Sequence, residues 1–122
     1  MLLSMLLPPI NVHMTYATIK RVHATPGQAL SPGAKLIDLR IDLTSAFPQD
    51  CPPISYYRIV LRERAWLRSV MVAQGGDVAP GQPLALLSTE DGEPLDGTPV
   101  RAVRVSTAGI LWQPDWDADI QP

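Results

Sequence analysis

The sequence predicts an all-β fold made of two similar halves. Three observations carry that prediction: a polar–apolar alternation, a dense scatter of turn residues, and an internal repeat at a spacing of 48 residues. In the segment LIDLRIDL, from Leu36 to Leu43, the apolar Ile37, Leu39, Ile41 and Leu43 alternate with Asp38, Arg40 and Asp42. A period of two sends successive side chains to opposite faces of a strand, so one face is core and the other meets water. Thirteen prolines and eight glycines interrupt the remaining apolar runs, which favours brief strands and tight turns over long helices.

Shifting the chain by 48 residues aligns Ile19 with Leu67, Lys20 with Arg68, Val22 with Val70 and Gly27 with Gly75. The same shift aligns Leu30 with Val78, Pro32 with Pro80, Gly33 with Gly81 and Leu36 with Leu84. Each copy reads as a strand, a glycine turn, an apolar anchor, a Pro-Gly turn and a second strand entered through leucine. Proline presets φ and glycine accepts positive φ, so Pro32-Gly33 and Pro80-Gly81 suit the central positions of type II turns. Neither copy can bury its apolar face alone. Two copies packed about a pseudo-twofold axis form a flattened barrel or sandwich.

In chain order, MLLSMLLPPI has neither a basic n-region nor a small-residue cleavage pattern, and it is far shorter than the ~20 apolar residues that cross a bilayer. Residues 1–14 therefore read as a flexible leader, ragged or docked, and residues 15–122 as one domain. Tyr56 to Arg62 is β-branched and aromatic enough for a strand. Asp91-Gly92 and Asp96-Gly97 mark turns before a further strand over Val100 to Val105, and residues 105–122 form a C-terminal extension that adds a strand or hairpin.

At this level the residues resemble the biotinyl/lipoyl-like (hammerhead) domain family. Two halves with spaced valines, glycines and leucines are typical of that family, and Gly76-Asp77-Val78-Ala79-Pro80-Gly81-Gln82-Pro83-Leu84 is the best-matching segment. The resemblance covers about Tyr16 to Glu90 and implies a barrel-sandwich hybrid of two pseudo-symmetric halves, with an extra C-terminal strand or hairpin. In the family, the modified lysine sits on a hairpin between the halves, seven residues after the leucine that follows the first turn. Counting from Leu36, that place is held by Leu43, which has no amine to acylate. The only lysines, Lys20 and Lys35, fall elsewhere. The resemblance thus implies a carrier fold without its cofactor. Between the halves runs Ser45 to Pro53, longer than the family hairpin and stiffened by Pro48, Pro52 and Pro53. It is also too short for the helical hairpin found there in export-system adaptors.

The candidate chemical sites are weak. A net charge of −2 supplies no broad cationic field for nucleic acid or anionic lipid, and Arg58, Arg62, Arg64 and Arg68 read as a solvated strand face. The lone Cys51 excludes an internal disulfide, fits a reducing and hence cytoplasmic setting, and lies beside Asp50, which disfavours a reactive thiolate. His13 and His23 lack a metal-ligand spacing, and Asp115-Trp116-Asp117-Ala118-Asp119 lacks the glycine and distal glutamate of a calcium loop. Asp38 and Asp42, about 13 Å apart by strand geometry, cannot share a proton and read as a charged solvent face. No catalytic, cofactor or metal residue is expected. Phe47, Trp112 and Trp116 are the candidate partner-binding residues, because exposed aromatics bury a large area at small entropic cost. The expected function is a non-catalytic binding or scaffold module with a protein partner. Alternatives are an accessory subunit of an acyl- or carboxyl-transfer complex and, more remotely, an export-system adaptor. Exposed strand edges make a homodimer a reasonable assembly.

Overall fold

The computed structural model describes residues 1–10, 14–42 and 54–111. Those residues form ten strands: β1 (Leu2–Leu6), β2 (Ala17–Val22), β3 (Ala29–Leu30), β4 (Lys35–Asp42), β5 (Ile54–Leu61), β6 (Ala65–Val70), β7 (Asp77–Val78), β8 (Pro83–Ser88), β9 (Arg101–Ala102) and β10 (Val105–Ile110). They make two five-stranded sheets, ordered β3-β6-β8-β1-β9 and β10-β5-β4-β2-β7. The protein is all-β, and no helix among the described residues is long and apolar enough to cross a membrane.

The 48-residue spacing of the sequence is also the spacing of the pairings. Strands β2 and β6 begin at Ala17 and Ala65, β3 and β7 at Ala29 and Asp77, and β4 and β8 at Lys35 and Pro83. Both Pro-Gly turns close as expected. Ala34 N donates to Ser31 O at 3.0 Å and Gln82 N donates to Ala79 O at 3.0 Å, with Gly33 at φ 96° and Gly81 at φ 85°. The glycine turns of each copy grip the other copy's strand. Gly27 N donates to Leu67 O and Gly75 N to Ile19 O, both at 2.7 Å; the return bonds are Leu67 N to Gln28 O and Ile19 N to Gly76 O. Buried backbone groups must be paired, so this reciprocity fixes the two sheets face to face.

Where a flexible leader is expected, Leu2–Leu6 form β1, hydrogen-bonded between β8 and β9, with Leu3 and Leu7 almost wholly buried. The reason lies in the repeat. Strand β4 pairs with β5 through Ile37↔Ile59 and Leu39↔Tyr57, while β8 pairs with β1 through Ala85↔Met5 and Leu87↔Leu3. Adding 48 to the first residue of each pair and subtracting 54 from the second converts one set into the other, so β1 fills beside β8 the place that β5 fills beside β4. Ile19, Leu36, Leu39, Ile59, Leu61, Leu84 and Leu87 fill the space between the sheets. Each such side chain contributes about 1.5–3 kcal/mol through burial.

Of the extension expected over residues 105–122, the described part forms strand β10, and a short strand, β9, precedes it on the other sheet. Strand β9 runs parallel to β1 and β10 runs antiparallel to β5, so the alternating run expected over Val100 to Val105 is broken at Val103 and Arg104. Val103 N donates to Ser4 O, Arg62 N donates to Arg104 O, and the chain crosses from one sheet to the other between them.

Candidate interaction surface

Strand β4 ends where Asp42 faces Ile54, the first residue of β5. Two residues along β5, Tyr56 faces Ile110, the last residue of β10. The connection from 43 to 53 therefore departs and returns at the same end of this sheet from which the chain continues beyond Leu111. Beside that end lies an open groove of about 500 Å³ lined by Ile54, Ser55, Tyr56, Tyr57, Gly109, Ile110 and Leu111. Ile54 is 42% exposed and Leu111 84% exposed. The lining is aliphatic and aromatic apart from Ser55 and Gly109. Leu43, Phe47, Cys51, Trp112, Trp116 and the acidic tail lie outside the described residues, as does His13; the described residues that flank 43–53 and 112–122, Asp42, Ile54 and Leu111, stand at this end of the sheet.

On the outer face of the same sheet, the structure corrects the expectation for Asp38. Its side chain is fully buried and not part of a solvated face. Arg58, directly opposite on β5, donates from Nε to Asp38 Oδ1 at 2.8 Å and from Nη2 to Oδ2 at 3.2 Å. His23 Nε2 lies 2.8 Å from Oδ2; an ionised carboxylate only accepts, so this nitrogen carries the proton. Alternation puts Asp38 on this face, yet the side chains that lie over it come from β5 and from the residue just past β2, 20 and 15 positions away in sequence. Burial raises the affinity of the Asp38 carboxyl for a proton, but the bonds from Arg58 and His23 and their charges outweigh it and hold its pKa below the ordinary carboxylate value. The bond to Asp38 likewise raises the Arg58 pKa. A carboxyl held in this way is a poor proton acceptor near neutral pH and acts as a cross-strand clamp.

The arginine run does not form one face. Arg58 pairs with Asp38, Arg62 Nε donates to Ser106 Oγ at 2.7 Å, Arg64 is exposed, and Arg68 on the other sheet donates to Glu93 O at 2.6 Å. Arg101 and Glu63 form a second clamp, bidentate at 2.7 and 2.8 Å, and Arg104 N donates to Glu63 Oε2 at 2.7 Å. The Arg101 bonds, aided by that backbone donor, outweigh desolvation and lower the Glu63 pKa to about 2. No cluster of three or more metal-ligating residues occurs among the described residues. No protein-family model matches the sequence, and no curated protein matches it.

Proposed function

We propose that this chain is a non-catalytic binding or scaffold module of the lipoyl/biotinyl-like kind, a barrel-sandwich hybrid of two pseudo-symmetric halves that has lost the attachment lysine. The recurrence of strand pairing at 48 residues, with β1 completing the second half, supports the fold reading. Leu43 directly follows the last residue of β4, where the family's hairpin would begin, and Lys20 and Lys35 lie in β2 and at the start of β4. The observation that carries the binding reading is that the described residues flanking the two aromatic-bearing stretches of sequence, Asp42, Ile54 and Ile110, stand at one end of one sheet beside an exposed groove. The occupant is a protein partner in the cytoplasm, engaged through Phe47, Trp112 and Trp116.

The test is an affinity pull-down of the tagged full chain from its own cells, with the intact mass of the bait recorded. One stoichiometric partner is expected, lost when Phe47, Trp112 and Trp116 are replaced by alanine while the circular dichroism spectrum is unchanged. A partner from an acyl- or carboxyl-transfer complex would identify the chain as an accessory subunit. A bait heavier by a lipoyl or biotin group would refute the loss of modification, and a bait that captures nothing would refute the binding role.

A further inference from the structure

Four strands bound the two sheets, and they are unequal. Strands β3, β7 and β9 have two residues each, and the last two carry Asp77 and Arg101. Short and charged edges resist pairing with another chain. Strand β10 has six residues, Val-Ser-Thr-Ala-Gly-Ile, without charge or proline. Its ladder with β5 runs through six consecutive pairs with no register shift, whereas the β4–β5, β2–β4, β6–β8 and β1–β8 ladders are each interrupted by one. No strand among the described residues pairs with its outer edge.

The outward groups can be assigned. Arg62 N donates to Arg104 O, while Leu61 turns to the other side, donating to Ala34 O and accepting from Gly33 N. Alternation along an antiparallel ladder then directs Ser106, Ala108 and Ile110 to β5 and leaves the backbone N–H and C=O of Val105, Thr107 and Gly109 facing outward. Thr107 is the middle of the three and is exposed.

From this edge we infer that the protein forms a twofold dimer by antiparallel pairing of β10 with β10 of a second copy, centred on Thr107. In that register Thr107 faces its own counterpart and Val105 faces Gly109 of the other copy, so every outward backbone group finds a partner. The edge is self-complementary in shape. A side chain at Gly109 would meet nothing within 4 Å, so Val105 of the second copy has room beside it at each end of the pairing. A foreign peptide would need pockets for alternate side chains to be selected; the small, uncharged residues of β10 supply none along its middle. The inference goes beyond the binding role proposed above and stands without it.

Sedimentation velocity on the purified full chain, from low to high micromolar concentration, tests this. A monomer–dimer equilibrium is expected, little changed by moderate salt because the residues of β10 carry no charge. Thr107→Pro removes one outward N–H and no bond to β5, so it should weaken the dimer at least about tenfold while leaving the melting curve in place. If that variant misfolds, Thr107→Lys serves in its place, setting like charges opposite each other at the axis and giving monomer. A wild-type chain that stays monomeric, or a dimer that survives whichever folded variant is used, overturns the inference.

Discussion

The two copies of the repeat share their strand pairings but not an outer face. His23 N donates to Leu36 O at 2.8 Å and Met71 N donates to Leu84 O at 2.9 Å, the same bond 48 residues apart. Asp38 faces Arg58 across its ladder, and in the equivalent place Leu86 faces Ser4. One half therefore carries Asp38, Arg58 and His23 where the other carries Leu86, Ser4 and Met71. The glycine turns and the inward leucines are common to both halves and specify the topology. A buried charge cluster is not needed for this pairing geometry, since the other half achieves it with uncharged side chains.

The largest effect should come from breaking the cluster by halves. Asp38→Ala leaves Arg58 and His23 over a buried vacancy, and removing one member of a buried ion pair costs about 3–5 kcal/mol. Replacing the whole set by its counterpart, with His23→Met, Asp38→Leu and Arg58→Ser together, should restore most of that stability, because a packed apolar substitute for a buried pair is often neutral or better. Urea unfolding with a constant m-value measures both. The pH dependence has a definite sign. The folded Asp38 pKa lies below 3.8, so its contribution is complete above that value and is lost as the pH falls below it; the triple variant should lack this part of the acid transition. A triple variant as unstable as Asp38→Ala would mean that the halves are not interchangeable and that the cluster is required by its own surroundings.

That comparison also marks what could be read from the sequence. The Pro-Gly turns, the repeat and the core face of β4 depend on rules that act within a few residues, and all three are visible in the string of letters. Strand β1 was hidden because Leu-Leu-Ser-Met-Leu has no clean alternation and because its counterpart is β5, at an offset of 54 and not 48. Met5 and Leu7 stand where Ile59 and Leu61 stand, a faint signal that could have revealed it. Periodicity puts Asp38 on the outer face but cannot tell that Arg58 and His23 cover it. The Asp38 clamp is a product of strand pairing across gaps of 20 and 15 residues and has no local signature. That Asp42, Ile54 and Ile110 stand at one end of the sheet likewise follows only from the register.

A middle-sized effect should be equal in the two halves. Gly33 and Gly81 hold the left-handed φ that their turns need, and a side chain at either would meet nothing within 4 Å. Alanine there is therefore strained by backbone conformation alone, at about 1–2 kcal/mol. Gly33→Ala and Gly81→Ala should lower the urea midpoint by similar amounts, and the double variant should lose the sum. Unequal losses would show that one turn is under more tension than the other and that the sheets are less alike than their pairings.

The smallest effect tests the links between strands, where the halves differ in length. Only Arg62, Glu63 and Arg64 separate β5 from β6, whereas residues 7–16 separate β1 from β2. The short link is tied to β9 and to the sheet crossing by Glu63, through Arg101 and the Arg104 N–H. Arg101 is more than a third exposed, so solvent screens this clamp and Glu63→Gln should cost less than either glycine variant. Its pH window is distinct. The Glu63 pKa falls from 4.5 to about 2 on folding, so the clamp stabilises fully above 4.5 and its contribution fades as the pH drops toward 2. The stability gap between wild type and Glu63→Gln should therefore be constant from neutral pH down to about 5 and narrow below it. A gap that persists at the acid end would mean that the carboxamide disturbs the packing of the link and that the charge on Glu63 contributes little.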